Sequence, residues 1–121
     1  MLDVRNMKRN SRNSDSEFFI PKQNLKILIE SNIGCIASDM ITVQGCEVGY
    51  MYRDEGETQF DSGWRFFSGQ EDQVYADNPE NFSFYKLNTI ANYDKTIIEF
   101  LQLPVGTTLE RINDKLVVVR K

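Results

Sequence analysis

Two aromatic runs with a period of two, CEVGYMYR (46–53) and WRFFSG (64–69), constrain this chain more than any other feature. The acidic, turn-rich segment DEGETQFDSG (54–63) joins them. Side chains that alternate between two surfaces and are rich in Tyr, Phe and Trp suit a pleated, half-buried strand. Two such runs around a glycine-containing loop predict an antiparallel pair. Val48, Tyr50 and Tyr52 alternate onto one face, and Gly49 marks a bulge or a close backbone approach. In the second run Trp64 and Phe66 share one face, while Arg65 and Phe67 share the other. One of those faces is core. The other exposes an aromatic beside Arg65 unless helices cover it.

The flanking segments extend the pattern. IGCIASDMI (33–41) reads as a strand that turns near Val43-Gln44, so that 33–69 forms a three-stranded antiparallel meander. Pro21 opens a helical pattern carried by Leu25, Leu28 and Ile29, with Gly34 beyond its end, which predicts a helix over 21–31. Residues 70–82 are a polar connection in which Asn78 caps a short helical turn begun by Pro79. Leu87, Ile90 and Ala91 have helical spacing with Ser83 available as a cap. Asp94 caps DKTIIEFLQL, whose Ile97, Ile98 and Leu101 form a core stripe, and Pro104 and Gly106 end that helix. The last hairpin turns at Asn113-Asp114, with Leu116 to Val119 as a buried strand. Helix, strands, helices, strands argue for an α+β fold: an antiparallel sheet (meander plus C-terminal hairpin) with helices packed on one side. The length suits one domain, 18–121, preceded by a disordered polar tail at 1–17 rich in Asn, Ser and Arg.

Several chemistries are excluded by what the chain lacks. It has no histidine, which removes Ser-His-Asp and Cys-His nucleophilic sites and nearly all zinc enzyme sites. Its glycines match neither the dinucleotide nor the Walker phosphate loop. The carboxylates of 54–61 lack the EF-hand order, and no partner base or electrophile accompanies them for acid–base work. The chain therefore reads as non-catalytic, with no cofactor and no metal. Cys35 and Cys46 are too few for a disulfide framework and lie roughly 20 Å apart in the predicted meander, so they read as buried free thiols. No apolar run approaches the roughly 20 residues of a bilayer span, and the N-terminus has no secretory h-region, which points to the cytoplasm. The sequon Asn81-Phe82-Ser83 has no meaning there.

The window 54–80 holds eight acids (Asp54, Glu55, Glu57, Asp61, Glu71, Asp72, Asp77 and Glu80) against Arg65 alone. Such a segment repels nucleic acid phosphates and anionic lipid, and attracts a basic protein surface. It equally suits a solvated face that serves solubility. The aromatics beside it have two readings as well, as core or as a binding hot spot rimmed by carboxylates.

EVGYMYRDEGETQFDSGWRFFSG and the later YADNPENFSFYKLNTIANYDKTII resemble a bacterial immunity-protein family of polymorphic toxin systems, the thirty-third in that naming series. The family was formerly a domain of unknown function. The resemblance covers about 33–112, and its most specific pieces are VGYMYR (48–53), DSGWRFFSG (61–69), NPEN (78–81) and LNTIANYD (87–94). It implies a cytoplasmic protein that binds and neutralises a cognate bacterial toxin by occluding it. Toxin nucleases are commonly basic, so an acidic inhibitor mimics their phosphate ligand and associates quickly. On this reading Asp54, Glu55, Glu57, Asp61, Glu71 and Asp72 steer the partner, and Trp64 or Tyr52 anchors it. The partner is a cognate protein toxin, a basic nuclease being one class, and neither nucleic acid nor membrane. The alternative is a non-catalytic regulatory or scaffolding module that binds some other protein.

Overall fold

The computed structural model describes residues 18–120; the tail expected at 1–17 lies outside the described residues. Six strands, β1 (Gly34–Ser38), β2 (Tyr50–Arg53), β3 (Asp61–Phe67), β4 (Phe82–Lys86), β5 (Thr108–Ile112) and β6 (Lys115–Arg120), form one sheet in the order β4-β1-β3-β2-β5-β6. Three short helices, α1 (Asp39–Thr42), α2 (Gln73–Ala76) and α3 (Leu87–Tyr93), and 3-10 turns at Lys22–Asn24, Pro79–Asn81 and Lys95–Phe100 complete the described elements.

The two aromatic runs pair antiparallel as β2 and β3, with Met51 opposite Phe66 and Tyr52 opposite Arg65. Gly49 is a close approach: a Cβ there would stand 2.0 Å from the Ser68 carbonyl oxygen. Gly63 lies inside β3 at φ +89°, and a Cβ there would stand 1.8 Å from the Asp54 carbonyl oxygen. Only glycine fits such a site. The C-terminal hairpin turns at Asn113 and Asp114, with φ 51° and 68°, the left-handed pair that a two-residue hairpin loop demands. Asn78 accepts from the Glu80 N–H and Asp94 from the Thr96 N–H, so both caps form where the sequence places them.

The meander over 33–69 does not form. The Ser38 hydroxyl accepts from the Met40 N–H and starts α1, so the chain leaves the sheet instead of turning back. β1 then lies parallel to β3 and antiparallel to β4, and the sheet is mixed. Its Cys35-Ile36-Ala37-Ser38 is buried throughout, which suits a strand covered on both faces. FSFYK is strand β4, and Ser83 is a buried strand residue opposite Ala37, not a cap. The helix expected over 21–31 is one 3-10 turn followed by a segment without regular secondary structure that bends at Leu28. The segment after Asp94 is a 3-10 helix with Ile98 partly exposed. Both cysteines are free, but β3 separates β1 from β2, so the hairpin used to space them is absent. Cys46 is only partly buried.

The main core lies on one face of the sheet. Trp64, Phe66, Cys35, Ala37, Met51 and Leu109 meet Ile41 of α1, Leu87 and Ile90 of α3, and Ile97. On the other face Ile36 and Phe82 are buried among Phe67, Phe84 and α2 residues Tyr75 and Ala76. The helices are thus not all on one side, because α2 crosses the second face. No helix among the described residues is long and apolar enough to cross a membrane.

Candidate functional site

The β2–β3 register brings Tyr50, Tyr52 and Phe67 together on the sheet face on which, among the described residues, α2 packs. Tyr50 lies opposite Phe67, with ring centroids 5.6 Å apart, and Tyr52 stacks on Phe67 at 5.9 Å and 19°. The ring contacts continue to Phe82 at 5.5 Å and on to Tyr75 at 5.9 Å. Phe82 is buried, whereas Tyr50, Tyr52, Phe67 and Tyr75 remain half-buried. Half-exposed tyrosines present a large rigid surface with a polar tip, the chemistry of an interface anchor.

Arg65 shares this face but offers no charge to it. It is buried, and its guanidinium donates to both carboxylate oxygens of Asp61, at 2.9 and 2.8 Å. Burial alone would raise the Asp61 carboxyl. The Arg65 hydrogen bonds and the N–H groups of Glu57 and Gly63 outweigh it and hold Asp61 below the ordinary carboxylate range.

Carboxylates stand at both ends of the aromatic strip. At the turn between β2 and β3, Glu55 and Glu57 are exposed, Asp54 is half-buried, and Phe60 projects from the same loop 69 % exposed. Past the far end of β3, Glu71 accepts from the Ser68 and Gly69 N–H groups, and exposed Asp72 caps α2 by accepting from the Tyr75 N–H. Burial pushes the Glu71 carboxyl up, but the Ser68 N–H, the Ser38 hydroxyl, the Glu71 N–H and the Ser68 hydroxyl bring it below its usual value. The two acidic groups are separated by the length of β3, roughly 20 Å at about 3.4 Å per residue.

An open cleft of about 680 Å³ lies at this far end, lined by Tyr50, Phe67, Glu47, Glu71, Glu110 and Arg111. Arg111 is already engaged, by Asp94 at 2.6 Å and Glu47 at 3.3 Å. Its Nε also donates to the Val48 carbonyl. The three glutamates therefore dominate the electrostatics of the cleft. Among the described residues no group of three or more His, Cys, Asp or Glu is placed to hold a metal ion.

The expected site residues divide accordingly. Tyr52 is on the aromatic strip. Trp64 is on the opposite face, fully buried, with its indole N–H donating to the Leu101 carbonyl. Asp61 is buried, with its charge paired to Arg65. Asp54, Glu55 and Glu57 stand at one end of the strip, Glu71 and Asp72 at the other. The sequence reading set Tyr50 and Phe67 in the aromatic group, with Phe67 on the face beside Arg65, but named neither as an anchor, and it did not single out Phe60, Glu47 or Glu110. Alternation alone puts Phe67 opposite in sense to Trp64, but which of the two shares a face with Tyr52 follows only from the register.

The sequence model of a family described as the immunity protein Imm33 domain matches residues 35–120. No curated protein and no solved structure matches the chain.

Proposed function

The chain belongs to the Imm33 immunity-protein family, and from that premise we propose that it binds a cognate bacterial toxin and occludes it with the aromatic face of β2 and β3. The observation that carries this reading is the half-buried strip of Tyr50, Tyr52 and Phe67 with carboxylates at both ends. Tyr52 and Phe67 are the central anchors, and Phe60 is a peripheral one. Asp54, Glu55, Glu57, Glu71, Asp72 and Glu110 steer a basic toxin surface; a nuclease is one class that carries such a surface. Trp64 and Asp61 support the strip from below and make no partner contact. The role is non-catalytic and cytoplasmic, it is carried by one domain over 18–121, and it involves neither nucleic acid nor membrane.

Co-expression with the product of the adjacent gene tests this. Survival together with a complex that weakens as salt rises supports both the role and the acidic surface. Rescue that persists in Tyr52→Ala/Phe67→Ala would move the contact elsewhere. No rescue and no complex would overturn the reading.

A further inference from the structure

The segment expected to be helical instead packs beside α3 without regular secondary structure, bending at Leu28, and the contacts that hold it there are unusual in kind. Asn88 and Asn92, one turn apart on α3, face the segment together. The Asn92 carboxamide takes both main-chain groups of Lys26: Oδ1 accepts its N–H at 2.9 Å and Nδ2 donates to its carbonyl at 2.9 Å. That is the pairing a neighbouring strand would supply. Asn88 Nδ2 donates to the same carbonyl at 2.9 Å, and its Oδ1 accepts from the N–H groups of Leu28 and Ile29 at 2.6 and 2.8 Å. All five bonds go to main-chain atoms.

The side chains of the segment divide in two. Ile27 is 80 % exposed and Lys26 is exposed, whereas Leu28 and Ile29 pack on the main core. Exposed Glu30, Ser31 and Asn32 then tether the segment to β1. Asn88 and Asn92 lie within the family-matched region, and Lys26–Ile29 lies before it.

We propose that Asn88 and Asn92 form a peptide-binding clamp and that Lys26–Ile29 is its displaceable internal occupant. The ligand class is a polypeptide that bends at the position of Leu28, read through its main chain at the positions of Lys26, Leu28 and Ile29 and requiring apolar side chains only at the last two. This site is separate from the aromatic strip and does not depend on the toxin reading.

Amide hydrogen exchange on the full-length protein is the first test. The Lys26, Leu28 and Ile29 amides exchange roughly 100-fold faster than Ile36 and Ala37 in β1, because the segment opens without the sheet. Equal rates would mean that the segment leaves only on global unfolding, and would overturn the proposal. In full-length Leu28→Ser/Ile29→Ser, which frees the clamp, a synthetic peptide of residues 24–31 shifts the side-chain amide NMR signals of Asn88 and Asn92. N-methylation at the Lys26 and Leu28 nitrogens weakens that peptide by about tenfold. Alanine in place of Lys26 and Ile27 changes its affinity by less than about twofold. No shift, or binding indifferent to N-methylation, would also overturn it. If the double variant does not fold, the exchange rates of the natural chain decide alone.

Discussion

Arg65 grips both carboxylate oxygens of Asp61 while both side chains are buried, on the sheet face that carries the aromatic strip. Such a pair is worth little net when intact but is costly to break, because the surviving charge stays buried. Asp61→Asn lowers the unfolding free energy by about 3–5 kcal/mol, measured by urea denaturation. Asp61→Leu/Arg65→Met recovers only part of this, because Asp61 also accepts from the Glu57 and Gly63 N–H groups. Full recovery would show that the loop bonds contribute nothing.

The same pair gives the stability an acid limb. The folded-state pKa of Asp61 is lowered from 3.8, and that of Glu71 from 4.5. The unfolded chain therefore takes up protons first as pH falls. The stabilisation is complete above those ordinary values and is lost as pH drops through the lower folded-state ones. Urea midpoints between pH 6 and pH 2 should fall on this limb, and Asp61→Asn should flatten it. An unchanged slope in the variant would assign the acid sensitivity to other carboxylates.

Trp64 and Tyr52, on adjacent strands, lie on opposite faces of the sheet, Trp64 buried and Tyr52 half-buried. Trp64→Ala removes a buried ring and its bond to the Leu101 carbonyl, and costs about 3–5 kcal/mol of stability. Tyr52→Ala leaves stability within about 1 kcal/mol but weakens toxin binding by about 2 kcal/mol, roughly 30-fold. Denaturation and calorimetric titration on the two variants separate the roles. Equal losses of binding and of stability in Tyr52→Ala would make it a core residue.

Steering is a matter of rate. Glu55→Lys/Glu57→Lys should lower the association rate constant by about tenfold at low salt while changing dissociation by less than about twofold. Stopped-flow mixing with the toxin over a salt series measures both. A change confined to dissociation would place these side chains inside the contact.

Asp114 holds a left-handed conformation at φ 68° that glycine adopts without cost. Its carbonyl, which accepts from Arg111, survives substitution. Asp114→Gly should raise stability by about 0.5–1 kcal/mol, since the relief of strain exceeds the entropy lost. The thermal midpoint would rise accordingly.

Local chemistry was legible where a side chain acts on its own backbone. The Asn78 and Asp94 caps, the Asn113-Asp114 turn and the β2–β3 pair all follow from residue type and spacing. Long-range competition was not. Ser38 looks like any strand-end serine until its hydroxyl is seen to cap α1, where the chain leaves the sheet, and β1 pairs with β3 and β4, which lie further along the chain. Phe82 to Lys86 alternates weakly and reads as the approach to a helix; its strand character comes from β1 beside it. Lys22 to Ile29 has good helical spacing, but Asn88 and Asn92, about 60 residues away, claim its main chain first. For the site, residue types identified Tyr52 and the acids, while the side of the sheet, which separates Tyr52 from Trp64, needed the pairing register.

The parallel placement of β1 has a consequence in time. Gly34 pairs with Asp61 on one side and Lys86 on the other, 27 and 52 residues later in the chain. On the ribosome, the apolar Cys35-Ile36-Ala37 run emerges before either neighbour exists. At about 5–20 residues per second it waits roughly 3–10 s for its second partner. Throughout that interval the strand that becomes fully covered is the one most open to wrong pairing, and early release of the nascent chain would strand it there.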